Sequence, residues 1–239
     1  APVHRMMLAL PCPVESDSIQ LTNAGWQLQR RQITQDFSLQ ALHIVNDFYA
    51  QAMALPHLAS GHTLLNPQAK PQKGNRVVLG PGTGLGVAAL IQHQGQSIPV
   101  TGEGGHVTLA AHNDYEAEIL LAARKTMGHV SAEKLISGIG LSALECCMNE
   151  VAGQTHPERD NRAIVRCARA GEERALATVH QMLAFLATVA SDLALNFTAL
   201  AGVYLSGGIL PRLQHVLDWD VFHQRFSAKG RFAEYLSPI

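Results

Sequence analysis

The chain has 239 residues, of which 47% are hydrophobic and 15% are charged. This composition is typical of a globular protein that buries a sizeable core. A formal net charge of −1 provides no basic field, so we expect neither nucleic acid nor a membrane among its partners. The longest apolar stretch, residues 182–195, includes Asp192 and is too short to cross a bilayer.

Cysteine and histidine usage indicates a protein of the reducing cytosol that holds no structural metal. None of the four cysteines belongs to a C-x-x-C pair, which favours free thiols and a cytoplasmic location. The twelve histidines show neither H-x-x-x-H nor mixed Cys/His spacing. The sequence therefore assigns no residue as a metal ligand.

The first third of the chain predicts strands that alternate with short helices. Residues 6–14 predict a buried strand that ends in prolines, and residues 38–42 have a helical pattern. A short β-branched run over 41–45 predicts another strand, and residues 49–58 have helical spacing. The polar stretch 61–75 predicts a connecting loop.

The rest of the chain predicts a glycine-rich hairpin followed mainly by helices. Strands that alternate with helices predict an α/β fold, which the loop at 61–75 divides into two lobes. In chain order the predicted elements are a strand at 76–79, a glycine loop at 80–86, a strand at 87–92, helices at 114–126, 131–134, 141–151 and 172–196, a strand at 203–205 and a helix at 210–217.

One glycine cluster surrounds an acid and a histidine. Glu103 lies among Gly102, Gly104 and Gly105 and is followed by His106 within three residues. The glycines permit positive φ and a close approach of the backbone to a ligand, so the loop can direct a carboxylate and an imidazole into one small space. The alternative is a flexible turn between strands, in which the acid is solvated and the histidine is incidental.

A second glycine cluster, GPGTGLG at residues 80–86, matches neither nucleotide-binding fingerprint. It has neither the G-x-G-x-x-G spacing nor the G-K-[ST] of a P-loop, which disfavours a dinucleotide-dependent oxidoreductase. Its consecutive backbone N–H groups can still form an anion nest, to which the hydroxyl of Thr83 adds a donor. The alternative is a β-hairpin turn without a ligand.

Three further positions each have a chemical and a structural interpretation. Asn46 and Asp47 end a hydrophobic strand, where α/β sheets present catalytic groups, but both residue types are also favoured helix caps. Gly207 and Gly208 let a strand pass close to a ligand or to a neighbouring helix. Glu133, near a predicted helix start, is also consistent with a capping box.

Several strings in fixed order give the chain a resemblance to one protein family. Along essentially its whole length it resembles the proteobacterial-type glucokinases of the actin-like ATPase and sugar kinase superfamily, and the cysteine-rich zinc motif of the related ROK sugar kinases is absent from it. The matching strings are LTNAGW at 21–26, IVNDF at 44–48, GPGTGLGVA at 80–88, GEGGHV at 102–107, GHVSAEKLISG at 128–138, LALNF at 193–197, SGGILPR at 206–212 and KGRF at 229–232.

The resemblance implies a two-lobed, actin-like (ribonuclease H-like) α/β fold. It also implies the ATP-dependent phosphorylation of glucose at its 6-hydroxyl, the first step of glycolysis. We expect residues 1–57 to be the remnant of a small lobe and residues 58–239 to form the large lobe. ATP and Mg²⁺ would be the cofactors, and the enzyme would be a cytoplasmic homodimer.

The same resemblance implies roles for individual residues. Asp47 is the expected general base, which takes the proton of the attacking hydroxyl. The residues expected to bind glucose are Asn23, Asn46, Asp47, Glu103, His106 and Glu133. The residues expected to bind the nucleotide are Gly82, Thr83 and Gly84 in a phosphate loop, and Gly207 and Gly208 in an adenosine motif.

Three departures from the family pattern limit what we expect of these 239 residues. A phosphate-1 loop, D-x-G-G-T-x-x-R, would precede Ala1, and a D-N-P-G-L-L-G motif would follow Ile239. Pro81 occupies a position where the family more often has alanine. We therefore expect little or no turnover from this stretch alone, with weak sugar binding retained. The alternative to a kinase is a non-catalytic sugar-binding or regulatory protein on the same fold, against which the intact Asp47 argues.

Overall fold

A computed structural model describes residues 3–21, 25–58, 62–70 and 72–239 of the protein. The chain begins with two small sheets. In the first, β1 pairs with β4 in parallel, with Leu10 opposite Asn46, and in the second β2 pairs with β3 antiparallel. Ile19 and Ile44 are buried between these sheets together with Cys12. The elements are β1 (Arg5–Leu10), β2 (Ser18–Gln20), β3 (Gln27–Gln29), the helix α1 (Arg30–Asp36) and β4 (Ala41–Asn46).

A four-stranded mixed sheet forms the centre of the remaining chain. Its order is β7-β6-β5-β8, in which β8 runs parallel to β5 and the other pairs are antiparallel. The run Val77–Leu79 of β5 is almost completely buried, as expected for a central strand covered on both faces. The strands are β5 (Arg76–Pro81), β6 (Leu85–His93), β7 (Gln96–Gly102) and β8 (Val203–Leu205).

Helices cover one face of this sheet and contribute most of the core. The side chains of Val77 and Leu79 point to that face, because residues two apart along a strand share a face. The longest helix, α7, is long and apolar enough to cross a membrane by those two criteria alone, but 72% of its most apolar window is buried inside the fold. The helices are α3 (Asp114–Met127), α4 (Ala132–Leu135), α5 (Gly140–Val151), α6 (Asn161–Arg169), α7 (Glu173–Phe197), α8 (Leu210–Leu213), α9 (Trp219–Ser227) and α10 (Ala233–Leu236).

Among the residues that the structure describes, one short helix covers the opposite face of the sheet: α2 (Asp47–Ala54), which follows β4 directly. Ala52 of this helix and Leu55 just after it pack against Val78 and Leu90. The helix therefore connects the small β1–β4 sheet to the central sheet. Its first residue lies at the junction between the two sheets.

The sequence located the long elements well and the short polar ones poorly. The predicted helices at 114–126 and 172–196 and the strand at 203–205 are confirmed to within one residue at each end. The helix predicted at 38–42 is wrong, because a helix at 30–36 precedes it and β4 begins at residue 41. Helix α1 has no buried residue, so it lacks the apolar periodicity on which a sequence prediction depends.

Two glycines face each other across the β5–β6 hairpin and admit neighbouring groups. Gly80 and Gly86 are paired in the register of the hairpin. A Cβ on Gly86 would lie 1.8 Å from the ring of Phe48, and a Cβ on Gly80 would lie 2.9 Å from the backbone of Ser206. The hairpin therefore makes backbone-close contacts to α2 on one side and to the segment after β8 on the other.

A network of ion pairs around the buried carboxylate of Glu145 joins α5 to the segment before α6 and to the start of α7. Arg159 donates to Glu145 from Nε at 2.9 Å and from Nη2, and it also donates to Glu172 through Nη1. Arg174 lies 3.8 Å from Glu145 and 3.6 Å from Glu172. The hydrogen bond from Arg159 is the main reason that the pKa of Glu172 lies below its ordinary value of 4.5.

We predict that Gly86→Ala destabilises the protein by about 1–3 kcal/mol, because the new methyl group must displace the Phe48 ring. Gly102→Ala is the matched control, since a Cβ on Gly102 meets no atom within 4 Å. Urea unfolding of the two variants and the parent protein measures the difference. Equal unfolding midpoints for Gly86→Ala and Gly102→Ala would contradict the packing of Phe48 on the hairpin.

We predict that Glu172→Gln removes a pH-dependent part of the stability. A carboxylate whose pKa is lowered by folding stabilises the protein above its unfolded-state pKa, and this stability is lost as the pH falls through the folded-state value. The difference in thermal midpoint between Glu172→Gln and the parent should therefore be largest near neutral pH and shrink below pH 4.5. Glu118→Gln, at an exposed position of α3, is the control. A difference that grows toward acid pH would refute the prediction.

Candidate functional site

The turn of the β5–β6 hairpin, residues 82–84, is the point around which the predicted site residues gather. Its backbone is closed by a hydrogen bond from Gly82 N–H to the carbonyl of Gly84, at 2.8 Å. The carbonyl of Gly82 in turn accepts from the N–H of Gly138, at 2.7 Å. Thr83, at the tip, is exposed. The predicted strand–glycine loop–strand arrangement is confirmed, and the turn is fixed from outside by the segment that follows α4.

Glu133 is the side chain that holds this hairpin most directly. Its Oε2 accepts a hydrogen bond from the N–H of Leu85 at 2.8 Å. A Cβ on Gly84 would lie 2.2 Å from the same oxygen, so only glycine leaves room for the carboxylate. The capping-box interpretation of Glu133 is wrong, because Ser131 makes no side-chain cap bond to α4 and the acid bonds to the hairpin instead.

Glu103 and His106 lie beside Glu133. A short 3₁₀ turn, Gly104–His106, follows β7 and brings His106 Nε2 to 3.8 Å from Glu103 Oε2 and 3.9 Å from Glu133 Oε1. The side chains of Glu103 and His106 are 79% and 60% exposed. Two segments that are distant in sequence thus bring the carboxylates of Glu103 and Glu133 to within a few ångströms of the His106 imidazole.

The glycines of this turn serve close packing rather than an unusual backbone conformation. The expectation of positive φ is wrong for Gly102, Gly104 and Gly105, since none of the three is in the left-handed region. A Cβ on Gly105 would lie 2.1 Å from the carbonyl oxygen of Leu85, and one on Gly104 would meet the side chain of Val87 at 2.9 Å. Glycine at 104 and 105 therefore lets the 3₁₀ turn lie directly on β6, and the close approach of this backbone to a ligand stays a prediction.

Asn46 and Asp47 form the junction between β4 and α2. The Asn46 side chain caps the helix by accepting from the N–H of Phe48 at 2.9 Å, and Asp47 Oδ1 accepts from the same N–H at 3.0 Å. The cap interpretation is thus confirmed for Asn46. Because the ring of Phe48 lies on Gly86, Asp47 is held next to the start of β6. Asp47 and Glu133 are therefore both anchored on the short segment 84–86.

Gly207 and Gly208 follow β8 and lie against the same hairpin. Gly207 has φ +89°, and a Cβ there would lie 2.3 Å from the carbonyl oxygen of Pro81. Both its conformation and its packing therefore demand glycine. Gly208 differs, since a Cβ there would meet nothing within 4 Å and the residue is exposed. Gly208 leaves an accessible stretch of backbone beside the hairpin turn.

A groove of about 530 Å³ begins next to both glycine segments and was missed by the sequence reasoning. Gly138 connects the segment 82–84 to the segment 207–208. Its N–H donates to the carbonyl of Gly82, and a Cβ on Gly138 would lie 3.3 Å from Cδ1 of Ile209, the residue after Gly208. The next residue, Ile139, lines the groove and is 62% exposed. An isoleucine between two glycines was the available signal, but nothing in the sequence indicated its exposure. The lining residues are Ile139, Ser142, Glu158, Arg159, Asp160 and Asn161.

Two of the sequence predictions need separate mention. Asn23 lies outside the residues that the structure describes. Within the described ranges, no group of three or more His, Cys, Asp or Glu residues is arranged to hold a metal ion.

Comparison with known proteins connects this geometry to one family. All 239 residues match the family model described as Glucokinase. A glucokinase from Aromatoleum aromaticum is 40% identical over 229 residues, which are 95% of this chain and 69% of that protein. The crystal structure of a glucokinase from an Antarctic psychrotroph is similar with a TM-score of 0.88 and 38% identity, over 98% of this chain and 73% of that one.

A more distant structure shares the fold. The ROK family glucokinase from Streptomyces griseus, solved in complex with glucose and AMPPNP, has a TM-score of 0.55 and 18% identity to this chain, over 83% of this chain and 62% of that one. The mixed α/β chain therefore has the actin-like ATPase fold of the sugar kinases.

Proposed function

Because the chain belongs to the glucokinase family, a family of kinases that phosphorylate glucose, we propose that its glucose site is the cluster beside the β5–β6 hairpin. The observation that carries this proposal is that His106 Nε2 lies 3.8 Å from a carboxylate oxygen of Glu103 and 3.9 Å from one of Glu133, beside the hairpin turn. In this proposal Asn46 and Asp47 complete the site from the start of α2. Asn23 is kept as a further predicted contact.

The chemistry of this cluster suits a sugar. Each hydroxyl of glucose is both a donor and an acceptor, so carboxylates, an amide and an imidazole are suitable partners. Glu103 and His106 are exposed and free to turn toward a ligand, whereas Glu133 is held by Leu85 and provides a fixed acceptor. A polar group left unpaired in a closed site costs about 1–3 kcal/mol, so such a site favours a sugar with every hydroxyl present.

Asp47 is our proposed general base. It would accept the proton of the 6-hydroxyl as that oxygen attacks the terminal phosphate of ATP. The bond from the Phe48 N–H to Oδ1 orients the carboxylate, and the second oxygen is the one we assign to the substrate. Phosphoryl transfer depends mainly on positioning and on charge stabilisation, and the junction of β4 with α2 would supply the positioning of the base.

The nucleotide is proposed to bind on the other side of the hairpin turn. In the turn formed by Gly82, Thr83 and Gly84, the N–H groups of Thr83 and Gly84 and the Thr83 hydroxyl would face the phosphates, and Gly207 and Gly208 would approach the adenosine. The groove is lined by Ile139, the residue after Gly138, which bonds to Gly82, and its volume of about 530 Å³ lies within the usual range for ligand pockets. We assign it to the nucleoside, with Ile139 as its apolar contact.

Mg²⁺ is proposed to arrive with ATP. No cluster of three protein ligands exists within the described ranges, which fits an ion that is held mainly by phosphate oxygens, water and one or two carboxylates. The ion would neutralise charge on the phosphates. Glu133 is the acid nearest the phosphate turn but is held by the N–H of Leu85. We therefore propose Asp47, whose neighbour Phe48 packs on Gly86 of the hairpin, as the acid available to contact a hydrated ion.

The cellular setting remains a prediction from the family resemblance. We propose a cytoplasmic homodimer that acts at the first step of glycolysis, with a small lobe over 1–57 and a large lobe over 58–239. A pseudo-kinase would need to lack the base or the phosphate turn. Asp47 and Gly82–Gly84 are both present, so the sequence favours the kinase.

We predict that Asp47→Asn in the full-length enzyme lowers kcat by about 100-fold or more, because the amide cannot accept the proton. Glucose affinity, followed by the fluorescence of Trp26 or Trp219, should change much less. Asp36→Asn, at the exposed end of α1, is the control. A coupled assay in which Asp47→Asn retains a parental rate would disprove the assignment of the base.

We predict that Ile139→Asp raises the KM for ATP by roughly tenfold, since it places a charge where the nucleoside is proposed to lie. The KM for glucose should stay near the parental value. Val221→Asp, which changes an exposed apolar residue of α9, controls for the introduction of surface charge. An unchanged KM for ATP in Ile139→Asp would remove the nucleoside from this groove.

A further inference from the structure

A side-chain hydrogen bond links the helix of the proposed base to the glycine segment proposed for adenosine. Ser206 Oγ donates to Gln51 Oε1 at 2.6 Å, between residues 155 positions apart in the chain. Gln51 lies four residues after Asp47 on α2, so the two side chains point to the same side of the helix. Ser206 directly precedes Gly207. The bond therefore joins the proposed acceptor side of the site to the donor side without touching either substrate site.

This bond is one part of a closed ring of contacts. Helix α2 is attached to the hairpin at Phe48, whose ring fills the space over Gly86. Ser206 is attached to the other strand of the hairpin, where its N–H donates to the carbonyl of Leu79 at 2.9 Å and its backbone lies over Gly80. Gly80 and Gly86 are register partners. The Gln51–Ser206 bond closes the ring across the top of the hairpin.

The ring of contacts restrains α2 in a way that apolar packing alone cannot. Phe48, Ala52 and Leu55 hold the helix on the sheet by apolar contacts, which are non-directional and leave it free to rotate slightly. The hydrogen bond of Gln51 is directional and limits that rotation. Rotation of α2 moves Asp47 at its first turn. In phosphoryl transfer a shift of about 1 Å in a reacting group can cost up to 100-fold in rate.

We propose that Gln51 and Ser206 are positioning residues for the kinase reaction: their hydrogen bond sets the orientation of α2, and hence of Asp47, relative to the bound nucleotide. The proposal rests on the assignment of Asp47 as the base and of Gly207 and Gly208 to the nucleotide. Neither Gln51 nor Ser206 belongs to the proposed substrate contacts. Their effect should therefore appear in the chemical step and not in the binding of either substrate.

The test uses Ser206→Ala, which removes the donor, and Gln51→Leu, which keeps a side chain of similar bulk but removes the acceptor, both in the full-length enzyme. Each variant should lower kcat by roughly tenfold, because the helix loses its directional restraint. The Kd for glucose and the Kd for a non-hydrolysable ATP analogue, both measured by calorimetry, should stay within about twofold of the parent. The double variant should be no slower than either single variant, since both remove the same bond.

The chain offers a matched control with the same chemistry elsewhere. Gln92 Nε2 donates to Ser97 Oγ at 2.8 Å across the β6–β7 hairpin, at the end of the sheet away from the glycine turn. Ser97→Ala removes a glutamine–serine bond of similar length and should leave kcat unchanged. Thermal unfolding of all variants checks that any loss of rate is not a loss of folded protein.

Two results would overturn the proposal. One is a kcat within about twofold of the parent in both Ser206→Ala and Gln51→Leu. The other is a loss that appears in ATP affinity while kcat is kept, which would make Ser206 part of the nucleotide site. Asp47→Asn in the same assay separates this failure from that of the proposed function. If Asp47→Asn is inactive while Ser206→Ala and Gln51→Leu keep the parental kcat, only the positioning role is wrong. If Asp47→Asn stays active, the base assignment is wrong and this inference is wrong with it.

Discussion

The candidate site depends on four segments that lie so close to the β5–β6 hairpin that each contact requires a glycine on one side. Glu133 reaches the N–H of Leu85 past Gly84, and the 3₁₀ turn before His106 lies on the carbonyl of Leu85 through Gly105. Gly86 receives the ring of Phe48, and Gly207 approaches the carbonyl of Pro81. Each contact places one chemical group at the edge of the turn. The hairpin is thus the common support for every described residue to which we assign a role.

This arrangement gives the proposed acceptor side and the proposed donor side one support. The 3₁₀ turn and α4 bring two carboxylates and an imidazole to one side of the turn. The segment after β8 and the residue that follows Gly138 border the other side. A reaction that transfers a phosphoryl group needs both partners aligned at one place. A β-turn that is held from outside by the N–H of Gly138 provides such a place.

Sequence reasoning identified the acidic and glycine residues of the site but not the forces that bring them together. Long helices such as α7 are predictable because their apolar residues recur along the whole length. The bond that Glu133 makes was not predictable, since its partner is a backbone N–H 48 residues away.

The glycines around Glu103 were singled out correctly, but positive φ was the wrong reason. Glycine is needed there for contacts with β6, which exist only after the sheet has formed. The groove at Ile139 is likewise a product of the tertiary fold, since no local pattern reports which isoleucine stays exposed. The assignment of Asp47 as base came from family resemblance and from its position after a strand.

The central claim is that glucose lies against Glu103, His106 and Glu133 with its 6-hydroxyl directed at Asp47. A crystal structure of the full-length enzyme with glucose and a non-hydrolysable ATP analogue tests this most directly. The account predicts an Asp47 oxygen at about 2.6–3.2 Å from O6 of the sugar, and the terminal phosphate of the analogue over the turn at 82–84. A sugar bound elsewhere, or a 6-hydroxyl that faces away from Asp47 with the nucleotide in place, would contradict it.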